Sequence, residues 1–399
     1  MRIAFVSDCY WPRVNGVTVS MQTFRDRLEA LGHRTMILAP EYPGAEPDPA
    51  EPPVRRFKSV NARFSKEDRV VRPDAFPAIF RALDEFKPDI VHFQTEFGMF
   101  LGGRIWCMAR KRPVVITCHT NWEFYFHHYA PWAPGFLTRG LARKIMRRAY
   151  LESDYVLIPG TMMGRLLSSY GVNGPFHFLP TGVNRETFAA EQGEVLAFRR
   201  AWDQEAPQLR GKRLMLYVGR IGEEKNVSFL LPVLRRVAAA LPDAALVLIG
   251  DGPMRKPFLA KAAEQGLADR VHAPGYLPRE RLRLAYAAAS VFVFPSMTET
   301  QGLTTIEAMM CGTPAVAIGE MGTKDVMQGD NGGFMVPRDE EAFAAAAIRI
   351  LSDHELRKAK SDEARAWAMR FSVKATTESL LGHYEACLAG RGRARQGRA

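Results

Sequence analysis

Two carboxylates and two cations carry the most chemical information in this sequence. Glu299 and Glu307 stand eight positions apart within FPSMTETQGLTTIEAMMCGTPAVA, residues 294–317. At that spacing one lies in a loop and the other in a first helical turn. In a parallel α/β sheet this is the carboxyl edge of a strand, where ligands bind, and the free N–H groups around Gly302 and Leu303 would face an anion or a ring of hydroxyls. Glu307 has a second reading, because Thr304-x-x-Glu307 fits a capping box that serves only the helix's own N–H groups. The cations are Arg220 and Lys225, within GRIGEEKN at 219–226. Two fixed positive charges between a strand end and a helix N-terminus make a cradle for a diphosphate.

The elements that must hold these residues are legible as a repeated strand–loop–helix. VFVF at 291–294 is a buried strand, and the helix after it opens at Thr304 or Thr305 and stops at Gly312. A strand over 214–218 precedes Arg220, and a helix starts near Asn226. The chain itself begins with a strand over 2–7, a loop with an Asn15-Gly16 turn signal, and a helix over 17–31. Gly16 reads either as a simple turn glycine or as a point where backbone approaches a phosphate. Strands over 35–39, 89–93, 114–117, 155–159, 245–249 and 270–273 alternate with helices, which predicts parallel α/β sheets with ligands at the carboxyl ends of the strands. His119 lies just past the strand over 114–117, where a histidine serves either structure or a ligand. The G-x-G-x-x-G fingerprint is absent, and GDGP at 250–253 offers only G-x-G, which disfavours a plain dinucleotide dehydrogenase.

At 399 residues and 47% hydrophobic, the chain can bury two cores. Its five cysteines (9, 107, 118, 311 and 387) form no C-x2-C pair, which argues for reduced thiols in a cytosol and against disulfides or a zinc site. With a strand at the very start no signal peptide is expected, and no apolar run reaches the ~18 residues of a membrane span. A net charge of +11 implies an anionic partner: a nucleotide, nucleic acid or an acidic membrane. One stretch combines aromatics, among them Trp122, Tyr125, Tyr129 and Trp132, with no clean periodicity and two interrupting prolines. The helix after it carries Arg139, Arg143 and Arg147 at i, i+4 and i+8. That stripe is either a solvated face or a contact for an anionic bilayer.

Taken together, Glu-x7-Glu followed by Gly-Thr-Pro, Gly-Arg-x-x-x-x-Lys-Asn at 219–226, SDCYWPRVNGVTVS at 7–20, His-Thr-x-x-x-x-Tyr at 119–125 and PTGVN at 180–184 resemble glycosyltransferase family 4. The likeness spans nearly the whole chain and is strongest to bacterial α-glycosyl-diacylglycerol synthases and related α-mannosyltransferases. It implies an α/β chain of GT-B architecture, two facing Rossmann-like domains with the active site in the cleft between them. The expected domains are 1–184 (acceptor), a connecting region 185–211, 212–372 (donor), a helix over 373–390 returning to the first domain, and a basic tail over 391–399.

The resemblance also implies the chemistry: retaining transfer of a hexose from a nucleotide diphosphate sugar, UDP-sugar favoured, to a membrane lipid such as diacylglycerol. By that likeness Arg220 and Lys225 hold the diphosphate, Glu299 the sugar hydroxyls and Glu307 the ribose. Gly16 and the backbone at Gly302 and Leu303 approach the donor, Gly275 lies by the nucleobase, and His119 sits against the sugar. Trp122, Tyr125, Tyr129 and Trp132 line the acceptor entrance. No Asp-x-Asp occurs, so no metal and no other cofactor is expected. The enzyme is expected in the cytoplasm, peripheral on the inner face of the membrane, with no nucleic-acid partner. The nucleotide base, the sugar and the oligomeric state stay open. GDP-mannose-dependent mannosyl transfer, and transfer to a soluble or polyprenyl-linked glycan, are the alternatives. A non-hydrolysing sugar-nucleotide epimerase is a more distant one.

Overall fold

The structure, a computed structural model, describes residues 1–13, 15–44, 54–62, 68–119 and 135–396. The chain divides into two compact units, Met1–Gly182 with Val373–Ala399, and Val183–Ser372.

In the first unit the strands are β1 (Arg2–Val6), β2 (Arg34–Pro40), β3 (Val54–Phe57), β4 (Ser59–Asn61), β5 (Arg69–Val71), β6 (Ile90–Phe93), β7 (Val114–Thr117), β8 (Tyr155–Ile158) and β9 (Phe176–Phe178). β4 and β5 form a small antiparallel pair. The others build one parallel sheet in the order β3-β2-β1-β6-β7-β8-β9. Alternate residues of β1 serve opposite faces, Ala4 and Val6 in one core and Ile3 and Phe5 in the other. A strand buried on both sides reads as an unbroken apolar run, which is why β1 was visible in the sequence.

The helix Val373–Gln396 belongs to this unit. Its Leu380, Tyr384 and Cys387, at helical spacing, pack with Met21, Phe24 and Leu28 of the helix Gly16–Ala30. It runs several residues past the predicted start of a basic tail. On the helix Gly135–Leu151 the buried face is Met146, Ala149 and Tyr150, whereas Leu141 is exposed along with Arg143 and Arg147.

The second unit holds β10 (Arg213–Val218), β11 (Ala244–Ile249), β12 (Val271–Gly275), β13 (Val291–Phe294), β14 (Ala315–Ile318) and β15 (Gly333–Val336), all parallel, in the order β12-β11-β10-β13-β14-β15. The strand order reverses between β10 and β13, so their carboxyl ends flank the crevice where doubly wound sheets bind ligands. Residues 185–211, expected as a connecting region, are built into this unit. They form the helices Arg185–Phe188 and Gln192–Glu205, and Phe188, Phe198 and Trp202 are buried in its core. Their charged outer faces had hidden that apolar stripe.

Candidate active site

The loops after β10 and β13 are tied together at the switch point of the second sheet. The Lys225 ammonium is hydrogen-bonded to the Glu299 carboxylate, with both side chains about four-fifths covered. Ser296 Oγ donates to the same carboxylate at 3.4 Å. Two more bonds join the loops: Thr298 Oγ1 to the Glu224 carbonyl at 2.9 Å, and Asn226 Nδ2 to the Pro295 carbonyl at 3.2 Å. Asn226 adopts a left-handed conformation, φ 55°, between two 3₁₀ turns. The α-helix therefore begins at Leu230 rather than near Asn226, and Lys225 sits on a tight turn instead of at an α-helical N-terminus. Arg220, on the same loop, is two-thirds exposed and pairs with Glu224 at 3.4 Å.

After β13, Gly302 caps the helix Leu303–Met310 with φ 79°, a conformation that favours glycine, and no side chain caps that helix. Its first N–H groups remain available to a ligand. The capping-box reading of Glu307 is overturned: Glu307 Oε2 instead accepts from the Tyr286 hydroxyl at 2.9 Å. Burial pushes the Glu307 carboxyl up to about 7, against the opposing effects of the Tyr286 hydrogen bond and the Arg279 charge. Gly322 holds the Glu299 loop from behind. Its N–H donates to the Glu299 carbonyl at 2.9 Å, and a Cβ there would stand 2.6 Å from the Gln301 nitrogen. Gly275 ends β12 at φ 89°, and its carbonyl accepts from Gly250.

In the first unit, Gly16 opens the helix Gly16–Ala30, which Asn15 caps through the Thr18 N–H at 2.9 Å. A Cβ at Gly16 would meet nothing within 4 Å, so packing in the first unit does not itself require glycine there. His119 Nε2 lies 2.8 Å from Gln94 Oε1. A carbonyl oxygen only accepts, so Nε2 carries the proton. Burial lowers His119 to about 4, leaving it neutral. The Gln94 amide nitrogen is buried with no partner among the described residues. Gln94 follows β6, its N–H donating to the Val6 carbonyl at 2.9 Å, and the next residues are held by Asp8, a buried carboxylate after β1. Asp8 accepts from Thr95 Oγ1 at 2.7 Å, Phe97 N at 3.1 Å and Met99 N at 2.8 Å.

The structure thus brings Lys225 and Glu299 into contact, with Arg220, Gly302, Leu303, Glu307 and Gly275 at the same sheet edge. His119 and Gly16 lie at the carboxyl edge of the other sheet. Trp122, Tyr125, Tyr129 and Trp132 fall outside the described residues. Of the arginine stripe, Arg143 stands 5.7 Å over the Tyr170 ring and Arg147 is exposed. Among the described residues no cluster of three or more His, Cys, Asp or Glu is placed to hold a metal ion. Sequence reasoning missed Asp8, Gln94, Ser296 and Tyr286. Asp8, a carboxylate directly after a buried strand, was the one detectable signal.

Two doubly wound parallel sheets with polar groups gathered at their carboxyl edges are the architecture of GT-B glycosyltransferases. The chain belongs to glycosyltransferase family 4. The family model described as Glycosyltransferase Family 4 matches residues 14–187, and that described as Glycosyl transferases group 1 matches residues 198–367. An alpha-monoglucosyldiacylglycerol synthase of Streptococcus pneumoniae is 31% identical over 328 residues, 80% of this chain and 71% of the relative. A GDP-mannose-dependent alpha-mannosyltransferase of Mycolicibacterium smegmatis is 28% identical over 398 residues, 98% of this chain and 99% of the relative. Anabaena HepE, solved in complex with UDP, shares the fold at a TM-score of 0.72 and 16% identity, covering 97% of this chain and all of that one. The chain is a hexosyltransferase.

Proposed function

We propose that the chain transfers a hexose, with retention, from a UDP-sugar to a membrane lipid acceptor of the diacylglycerol type. The observation that carries the donor half is the Lys225–Glu299 pair at the switch point of the second sheet, a cation and a carboxylate beside an uncapped helix N-terminus. Lys225 and Arg220 would stabilise the charge that grows on the leaving diphosphate. Glu299 would accept from the sugar hydroxyls and Glu307 from the ribose, with Gly275 beside the base. Gly302 and Leu303 would offer backbone N–H groups, as Gly16 would in the first unit, where His119 gives a hydroxyl a neutral partner. In the step itself the acceptor oxygen bonds to the anomeric carbon, the bond to the diphosphate oxygen breaks, and the acceptor proton passes to the leaving phosphate. With two protein cations at the diphosphate and no Asp-x-Asp, the reaction proceeds without a metal.

The acceptor rests on the name of the Streptococcus pneumoniae relative and on the basic helix Gly135–Leu151. None of the helices, among the described residues, is long and apolar enough to cross a membrane; on the proposed reading the basic helix would meet the bilayer surface on its inner face. A second reading, mannosyl transfer from GDP-mannose, is favoured by the relative that matches 98% of the chain. Incubation with radiolabelled UDP-glucose or GDP-mannose and dispersed diacylglycerol, with and without EDTA, tests all of this. Label in a chloroform-extractable product from the UDP-sugar, undiminished by EDTA, is expected. Label only from GDP-mannose would replace the donor, and no extractable label while an added soluble glycan becomes labelled in a parallel incubation would remove the lipid.

A further inference from the structure

We propose that Tyr286 is the positioning residue for Glu307, fixing which carboxylate oxygen is left to the donor's ribose. The inference deepens the reading above and rests on Glu307 meeting the ribose. Tyr286 is wholly buried on the helix Arg279–Ala288, and its ring is held edge-on by Phe188 at 6.2 Å and Phe292 at 5.8 Å. The backbone at this point is pinned as well, since Thr313 Oγ1 donates to the Tyr286 carbonyl at 2.5 Å. A ring so confined points its hydroxyl in one direction, and that direction is Glu307 Oε2, 2.9 Å away. An ionised carboxylate can only accept, so Tyr286 donates. Oε2 is thereby occupied, while Oε1 has no protein partner among the described residues.

Glu307 is not engaged in capping its own helix, because Gly302 takes that position without side-chain help. Its rotamer is therefore set from a different helix, through a group with no freedom to turn away. The other charged or titratable groups here are Arg279, on the same helix as Tyr286, and Cys311, whose thiol is faced by Arg283 and Arg365. Burial raises the Glu307 carboxyl, and the Tyr286 hydroxyl opposes that rise. Loss of the hydroxyl leaves the carboxyl protonated over a wider range and free to change rotamer.

The test is calorimetric titration of Tyr286→Phe with UDP and with 2′,3′-dideoxy-UDP from pH 5.5 to 9, GDP and its dideoxy form being run in parallel. The parent should bind the ribonucleotide about ten-fold more tightly than the dideoxy form above pH 7, and lose that margin below it. In Tyr286→Phe the margin should shrink several-fold at neutral pH and recover toward pH 9, with dideoxynucleotide affinity unchanged. A merely structural tyrosine would weaken both nucleotides alike at every pH. Tyr286→Met, which fills the pocket without a ring, repeats the measurement should the Phe variant fail to fold. A margin and pH midpoint equal to the parent's would overturn the role of Tyr286. A parent with no ribose margin would instead remove Glu307 from the ribose, and the Tyr286 assignment with it.

Discussion

Lys225 and Glu299, 74 residues apart in sequence, are hydrogen-bonded to each other across the crevice between β10 and β13. Each keeps only about a fifth of its side chain in contact with solvent, 23% and 18% respectively. A diphosphate arriving at this edge would draw Lys225 away, because it offers a denser negative charge. Glu299 would then be released to accept from hydroxyls. The ion pair thus keeps in register the cation proposed for the leaving group and the carboxylate proposed for the sugar.

Replacing either cation should expose that arrangement. Arg220→Ala and Lys225→Ala should each lower turnover about 10²–10³-fold, the loss typical of one transition-state donor. The double variant should lose less than the product of the two, since both act on one group. The two should differ in stability. Lys225→Ala strands a mostly covered carboxylate and should cost about 1–3 kcal/mol, whereas the Arg220–Glu224 pair is largely solvated and should cost under about 1 kcal/mol. Full turnover in either single variant would remove the cradle.

Glu307 should impose a pH dependence of opposite sign on folding and on donor affinity. Its folded carboxyl titrates at about 7, raised from 4.5 chiefly by burial. A raised acid contributes stability that is fully present below 4.5 and lost as pH rises through about 7, amounting to at most about 3 kcal/mol. On the proposed reading the ribose meets the ionised form, so donor KM should rise as pH falls below 7. Glu307→Gln should flatten both curves. Thermal melts and KM measured from pH 5 to 8 would show it, and a variant with the parent's slopes would contradict it.

The central strands β1, β2, β6, β7, β8, β10, β11 and β13 were readable because they are buried on both faces and so appear as short apolar runs, whereas the more exposed β3, β4, β5 and β9 were not. Glu299, Lys225 and Gly302 follow such runs directly. What the sequence hid is distance. Asp8 and Thr95 are 87 residues apart, and nothing near Glu307 names Tyr286 as its partner. Local rules also compete with tertiary ones. The capping-box spacing at Thr304 is genuine, yet Glu307 gains more from a buried hydroxyl than from an N–H that water can reach. The left-handed Asn226 likewise depends on its side chain reaching the Pro295 carbonyl, a contact no local pattern reports.

His119 should remain neutral across the working pH range. Burial holds it at about 4, and its Nε2 proton is engaged by Gln94. Long-range ¹⁵N–¹H spectra of the parent should therefore show the Nε2–H tautomer at pH 6, with no His119 inflection in kcat between pH 5 and 8. Gln94→Glu places a carboxylate against the ring and should raise the His119 pKa by 1–3 units, the usual effect of an adjacent charge. A charged His119 in the parent at pH 6 would contradict the assignment.

The basic helix tests the acceptor. Arg143 and Arg147 stand on the exposed side of the helix Gly135–Leu151 together with Leu141, and Arg139 precedes them one turn earlier. Near an anionic bilayer each basic side chain is worth on the order of 1 kcal/mol, and the effect decays within a Debye length. Vesicle binding should therefore require anionic lipid and weaken steeply as salt rises. Any apolar contribution from inserted side chains would persist at high salt. Replacing Arg139, Arg143 and Arg147 by Gln should cost up to about 3 kcal/mol of vesicle affinity, taking the charges as additive. Because Arg143 also lies over the Tyr170 ring, its replacement carries a separate folding cost of about 0.5–1 kcal/mol. Arg147→Gln alone is the cleaner variant and should lose about a third of the total. Hydrolysis of the donor to water should be nearly unchanged, since the residues proposed to hold the diphosphate are on the other unit. A triple variant that binds vesicles and glycosylates lipid as the parent does would reduce the stripe to a solvated face, and the lipid acceptor would lose its physical support.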